Sequence, residues 1–357
     1  MSRLAHLLVW FIVAGLSLTL FAACATKVEV SQTEPVALDD PNESGPYAVG
    51  VARFSFERTS STTGEPRDLD TIVWYPASGE VEAAATETSL GAVTDLAPAT
   101  DGAPFPIVVW SHGAGGSEPY APLYFALNLA SHGFVVIAPS HPGNLRDDCF
   151  GSGRGGCTAE GMADSYANRL DDLTFALDSV LKLNEDPGSL LYSLLDASRV
   201  GVAGHSFGGT DTVREAATTP GSPFIAALAM APCVGAVVPS PDNVEMPLMM
   251  MGGDRDTRCP SADQQTYFDG ISGSPAFLLI FPRGGHSAYG DQCPAPVAEL
   301  ACGPNDLSQD KAHQLINFYG TAFFKTYLAG DRGYEVFLDP AFNSAETEIR
   351  YRAAGLP

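Results

Sequence analysis

Apolar positions along the chain fall into two alternating rhythms. Short runs rich in Val, Ile and Met read as strands, and longer segments with apolar residues three and four apart read as helices. "VGVARFSF" from Val49 and "DTIVWYP" from Asp70 are β-rich, and the turn-rich "ERTSSTTGEPRDL" between them predicts an antiparallel opening pair. Then "PIVVWS" predicts a buried strand, "YAPLYFALNLASHG" a helix with a Gly stop, and "FVVIAPS" another strand. "MADSYANRLDDLTFALDSVLKLN" predicts a long amphipathic helix with Leu170, Leu173, Leu177 and Leu181 on one stripe. Further strands follow at "RVGVAG", "FIAALAMA", "MPLMMMGG" and "PAFLLIF", with a helix from Phe207 and a closing helix around "LINFYGTAFFKTYL". Strands that are apolar throughout need cover on both faces, so the order predicts an α/β domain with a mostly parallel sheet.

The ends and one insertion break this rhythm. Residues 1–24 carry Arg3, an apolar stretch from Leu7 to Phe21 and small residues before Cys24, which reads as an export signal. In the lipobox reading of "FAAC", Cys24 is lipidated and anchors the chain to a membrane, although Phe21 stands where an aliphatic residue is usual. In the alternative, an ordinary signal peptidase cuts after Ala25 and the protein is periplasmic or secreted. Residues 25–46 read as a polar tether, 47–340 as the catalytic-size domain, 341–357 as a C-terminal tail, and 79–104 as a mobile loop.

A formal net charge of -23 excludes a nucleic-acid partner, since phosphates need a cationic surface. Besides Cys24 there are Cys149, Cys157, Cys233, Cys259, Cys293 and Cys302, an even set that fits disulfides in an exported protein. Locality pairs Cys149 with Cys157 and Cys293 with Cys302, leaving Cys233 and Cys259. No C-x-x-C spacing occurs, and neither a metal nor a cofactor is expected.

Candidate chemistry centres on Gly204-His205-Ser206-Phe207-Gly208, which fits G-x-S-x-G between a strand and a helix. One reading is a nucleophile elbow; the other is a Gly-rich turn whose serine caps a helix. An activated serine needs a base and an orienting acid, in the order Ser, acid, His. Downstream of Ser206 stand only His286, in a Gly-rich loop after a strand, and His313, inside the closing helix; the base is therefore His286. "MGGDRDTRCP" offers Asp254 and Asp256 as acids without deciding between them. The amides of Phe207 and of Ala114, in "HGAGG", are the expected oxyanion donors. A phosphate loop at that glycine run is discounted because no Lys-Ser/Thr follows.

With these residues in place the chain resembles the serine-esterase branch of the α/β-hydrolases. Similar groups are the platelet-activating-factor acetylhydrolase-like proteins, the predicted dienelactone hydrolases, and the bacterial cutinases and polyester hydrolases. The motifs are "PIVVWSHGAGG", "LASHGFVVIAPSHPGN", "SRVGVAGHSFGG", "GGDRDTRCP" and "GGHS". A cutinase-like G-x-x-x-D-T-x-x-P falls on Gly252, Asp256, Thr257 and Pro260, which makes Asp256 the acid. The resemblance implies a cofactor-free ester hydrolase working through an acyl-enzyme on a small-molecule, lipid or polymer ester. Short- to medium-chain or acetyl esters are the expected substrates; a phospholipase, a polyester hydrolase and a non-catalytic surface binding protein are the alternatives.

Two positions depart from the polyester-hydrolase pattern. Ala114 and Cys233 stand where those enzymes place the two aromatics of a clamp. Cys233 and Cys259 would then sit at the ends of neighbouring strands, and a bridge between them would hold Asp256 in register. His141 and His205 are candidates for lining the substrate pocket, and residues 141–166 form either a partial lid or a stapled surface loop.

Overall fold

Alternation within each strand sends side chains to two separate cores. In Phe105–Ser111 (β4), Ile107 and Val109 face one way and Val108 and Trp110 the other, all at most 1% exposed. The same division holds in Val135–Pro139 (β5), Leu195–His205 (β6), Ala226–Met230 (β7), Leu248–Gly253 (β8) and Ala276–Phe281 (β9). A computed structural model describes residues 38–79, 89–218, 221–235, 237–291, 306–342 and 348–352.

Ala48–Thr59 (β1) and Pro66–Ala77 (β2) form the expected antiparallel pair. The sheet runs β10-β9-β8-β7-β6-β4-β5-β2-β1-β3, where β3 is Val93–Thr94 and β10 is Glu348–Arg352. All pairings from β5 through β4, β6, β7 and β8 to β9 are parallel; β2 joins β5 and β10 joins β9 antiparallel. One core packs Leu123–Ser131 (α1) and Gln309–Tyr327 (α6) against the sheet, through Phe125, Leu129, Ile316 and Phe323 among others. The other packs Ala159–Glu185 (α3), Phe207–Thr218 (α4) and Ser261–Gly270 (α5). Helices thus cover both faces of a mostly parallel sheet, as in an α/β-hydrolase.

Four stretches differ from the sequence expectation. In α3, Leu173 and Leu177 are buried as expected, but Leu170 and Leu181 are only half-buried, and Ala176 and Val180 complete the stripe. Towards the start of α3 the inward face is polar, with Ser165, Asn168, Arg169 and Asp172 buried. Residues 89–104, read as part of a mobile loop, are held to the sheet: β3 pairs with β1, Leu90 accepts from Trp74 Nε1 at 3.1 Å, and Leu96 accepts from the Tyr75 hydroxyl at 2.8 Å. The end of the tether docks too, since the Pro41 and Glu43 carbonyls accept from Asn128 and His132. Residues 348–352 lie in the expected tail yet extend the sheet as β10. All four are contacts of backbone or of buried polar groups, which an apolar period does not encode.

Candidate active site

Parallel strands bring their carboxyl ends to one edge, and the neighbours of β4 make that edge a crevice. The chain passes from β4 to β5 on one side, while β6 lies on the other, a reversal of strand order of the kind that hosts ligands. The loops after β4, β6, β8 and β9 all open there.

After β6 the backbone turns into α4 at Ser206, whose φ is +57°. A residue with a Cβ rarely occupies this left-handed region, so neighbouring packing must hold it there. The Ser206 amide donates to Met230 O at 2.9 Å, and Ser206 O accepts from the Thr210 amide at 2.9 Å. Gly204 and Gly208 let the elbow close: a Cβ on Gly204 would overlap the Gly208 carbonyl, and one on Gly208 would overlap that of Ser111.

The loops after β8 and β9 meet over this elbow. Arg255 N donates to Gly284 O at 2.9 Å, and Arg283 N donates to Asp254 Oδ1 at 2.6 Å. Asp256, 4% exposed, accepts the amides of Arg258 and Cys259 at Oδ1, both at 2.9 Å. Its Oδ2 stands 2.8 Å from His286 Nδ1, and His286 Nε2 stands 2.8 Å from Ser206 Oγ. An ionised carboxylate only accepts, so Nδ1 carries the imidazole proton and Nε2 is left to accept from the serine hydroxyl. Asp254 instead caps the backbone of the histidine loop.

The Cys233–Cys259 disulfide ties the segment after β7 to the acid loop. Cys149–Cys157 is also formed, whereas Cys24, Cys293 and Cys302 lie outside the described residues. Phe207 opens α4, and the first amides of a helix have no partner within it. Ala114, in the loop after β4, is exposed.

Beside the elbow lies a cleft of about 570 Å³ whose walls include Trp110, Gly113, Tyr120, Arg146, His205 and Tyr289. His205 therefore lines it as expected. Burial and the neighbouring His286 push His205 down to about 3, so the ring is neutral, and its Nε2 donates to the His286 carbonyl at 3.1 Å.

His141 does not line the cleft. It is fully buried, with Nδ1 3.0 Å from Asp172 Oδ2 and Nε2 3.1 Å from Ser111 Oγ. The bonds to Asp172 and Ser111 hold the ring under the sheet edge rather than in solvent. Burial, then Arg169 and Arg67, hold it well below the ordinary histidine range. Around it runs a buried ionic cluster. Asp172 also meets Arg58 at 2.7 Å and Arg67 at 2.9 Å, while Arg169 Nε donates to Asp211 Oδ2 at 2.5 Å. Sequence reasoning missed Arg169, Asp172 and Asp211; the available signal was charge on the inward faces of α3, for the first two, and of α4, for Asp211.

The segment after His141 is a stapled loop joined to its neighbour. Gly115 N donates to Asn144 O at 3.1 Å, Arg146 N donates to Gly116 O at 2.8 Å, and the disulfide closes Arg146–Phe150 (α2) onto Cys157.

The PET hydrolase-like family pattern matches residues 156–355, and that of platelet-activating factor acetylhydrolase, isoform II, matches residues 81–146. The chain is 28% identical over 212 residues to the cutinase est1 of Thermobifida alba, covering 59% of this chain and 57% of that protein. It is 26% identical over 231 residues to the platelet-activating factor acetylhydrolase of Cavia porcellus, covering 49% and 51% of the two chains. These matches thus span little more than half the length of either relative. Among solved structures, a ferulic acid esterase from Streptomyces cinnamoneus superposes with a TM-score of 0.62 at 25% identity, over 86% of this chain and 96% of that one. Since the PET hydrolase-like pattern runs through more than half of the 357 residues, over the elbow, the acid loop and the histidine loop alike, the chain belongs to the PET hydrolase-like family.

Proposed function

We propose that the protein is a serine carboxylic ester hydrolase. Ser206 attacks the ester carbonyl while His286 Nε2 takes its proton, and Asp256 orients the imidazole and stabilises its charged form. The amides of Phe207 and Ala114 receive the developing oxyanion. The alcohol leaves with the proton from His286, an acyl-enzyme remains, and water activated by the same imidazole releases the acid. The observation that carries this reading is the hydrogen-bonded line Asp256–His286–Ser206, with 2.8 Å at both links, ending on a serine at φ +57°. A fluorophosphonate probe tests it: the wild type should label and turn over p-nitrophenyl acetate, and Ser206→Ala should do neither. An unlabelled wild type would favour a binding protein on this fold.

Short- to medium-chain or acetyl esters are the substrates we assign, given a cleft of about 570 Å³, within the size range of small-molecule sites. Family membership favours a second reading, polyester hydrolysis. Against it, the two clamp positions hold Ala114 and a disulfide-bonded Cys233, so neither offers a ring to an aromatic repeat. Aromatic diacid released from a polyester film would restore that reading, and a strong preference for long acyl chains in micelles would point to the lipase-like alternative. Export from the cytoplasm, with Cys24 as the lipid attachment point, completes the proposal. Two disulfides support an oxidising compartment, and loss of lipid labelling in Cys24→Ala would identify the anchor.

A further inference from the structure

One buried imidazole beside the elbow has no part in the proposed acyl transfer. His112 follows Ser111 at the end of β4 and is 4% exposed. Its two ring nitrogens face opposite kinds of partner. Nε2 stands 3.0 Å from the backbone N of His141, a group that can only donate. Nδ1 stands 2.7 Å from the carbonyl oxygen of Gly113, a group that can only accept. Together they select the neutral tautomer with its proton on Nδ1. A second proton would set two donors against each other at Nε2, and burial and the Arg169 guanidinium likewise hold this histidine well below its ordinary range.

The consequence lies in the Gly113–Ala114 peptide. In a trans peptide the C=O and N–H point to opposite sides. A Gly113 carbonyl held against His112 therefore turns the Ala114 amide away from the ring. Gly113 abuts the nucleophile: a Cβ there would lie 3.3 Å from Ser206 Cβ and 3.4 Å from His205 O. The ring also underlies the rest of the loop, since a Cβ on Gly116 would overlap its Nδ1 edge. Among the described residues the Ala114 amide has no protein acceptor, whereas the next amide, of Gly115, is engaged by Asn144.

We infer that His112 is a positioning residue for the oxyanion hole: its Nδ1–H fixes the Gly113 carbonyl and so aims the Ala114 amide at the charge that develops on the substrate. This rests on the esterase reading above. His112 touches no reacting atom. The buried cluster behind it, with Arg169 Nη2 donating to the His112 carbonyl, holds the same residue by its backbone.

Two variants separate positioning from mere packing. His112→Phe keeps the ring and removes the donor; His112→Asn places an amide nitrogen near the Nδ1 position. With p-nitrophenyl acetate, His112→Phe should lower kcat by about 10²–10³-fold while KM changes by less than about threefold, the signature of an interaction made in the transition state. Binding of a trifluoromethyl ketone, which forms an oxyanion on Ser206, should weaken to a similar degree. His112→Asn should recover at least about tenfold of the lost kcat. A wild-type kcat in His112→Phe, or equal losses in the two variants, would overturn the inference. If circular dichroism shows His112→Phe unfolded, His112→Gln, whose amide falls near Nε2 instead, takes its place with the same expected loss. Failure of the esterase reading itself would look different: wild type and Ser206→Ala would be equally inactive.

Discussion

The imidazole of His205 hydrogen-bonds the backbone of the residue it helps to present: its Nε2 lies 3.1 Å from the carbonyl oxygen of His286. Its ring also lies tilted 5.0 Å from that of His286 and stacks 5.7 Å from Tyr289. The residue preceding Ser206 thus anchors the loop that carries His286. His205→Phe keeps the stacking and loses the donor. A single hydrogen bond contributes about 1 kcal/mol net, so kcat on p-nitrophenyl acetate should fall by roughly tenfold or less, with the fold intact by circular dichroism. A loss as large as that of Ser206→Ala would mean that His205 takes part in the chemistry.

Acid should unfold the protein through its buried histidines. Burial holds His205 at about 3, and His112, His141, His132 and His313 are all lowered, with burial the leading cause in each. With the folded-state value below the unfolded one, the unfolded chain takes up protons first as pH falls. The stability these groups contribute is therefore complete above about pH 6.5 and drains away towards about pH 3. Urea midpoints should decline across that window, and His205→Gln should make the decline shallower. A midpoint unchanged between neutral pH and pH 4 would contradict the assignment.

The two aspartates of the acid loop should rank far apart. Asp256 bonds the imidazole, whereas Asp254 Oδ1 accepts from the Arg283 amide. Asp256→Asn removes the acceptor-only partner that fixes the imidazole tautomer, a change that costs about 10⁴-fold in kcat in enzymes of this type. Asp254→Asn can still accept from the same amide and should cost less than about tenfold. The reverse order of kcat values would move the acid to Asp254.

How much of this was legible in the sequence depends on which force placed each residue. Strands β4 to β9 follow from apolar runs, because burial on both faces dictates them; Ser206 and His286 as candidates follow from the G-x-S-x-G spacing, the order Ser, acid, His and a Gly-rich loop. Asp256 over Asp254 came from resemblance; no local pattern separates two aspartates two residues apart on one loop. His141 was misread because a histidine after a strand end gives no sign of which way its ring turns, and Asp172 on a helix thirty-one positions later decides it. The role of His112 depends on the backbone of that same segment. Strands β3 and β10 were missed since each joins the sheet at an edge, where hydrogen bonds rather than an apolar period fix the pairing.

A second Ser–His–Asp line runs through the protein, and it should be inert. Ser111, His141 and Asp172 stand 3.1 and 3.0 Å apart, close to the spacing of the proposed triad. All three are at most 1% exposed, and Ser111 Oγ is also bonded to Asp211 and Arg169. No ester can reach it. Ser111→Ala should keep fluorophosphonate labelling at Ser206. Asp211→Asn, by contrast, strips a buried guanidinium of its charge partner and should destabilise the fold by about 3–5 kcal/mol in chemical denaturation. Labelling lost in Ser111→Ala, with the fold retained, would reopen the question of which serine reacts.

The two disulfides should differ both in what they stabilise and in what they position. Cys233 and Cys259 are 26 residues apart and Cys149 and Cys157 are 8 apart. Chain entropy alone then assigns about 3.5 kcal/mol to the longer loop and about 2.5 kcal/mol to the shorter, in the unfolded-state model. Replacing each pair with serines should lower the urea midpoint more for Cys233/Cys259. Function adds a second contrast. Cys259 donates its amide to Asp256 Oδ1, so opening that bridge loosens the acid. Cys149 and Cys157 close the segment whose Asn144 carbonyl holds the Gly115 amide, so opening that bridge loosens the oxyanion loop instead. Both double variants should therefore lose kcat at temperatures where they remain folded, but only the Cys149/Cys157 variant should also lose trifluoromethyl ketone affinity in proportion to kcat. Equal stability and unchanged kcat in both would show that hydrogen bonds alone hold the two loops.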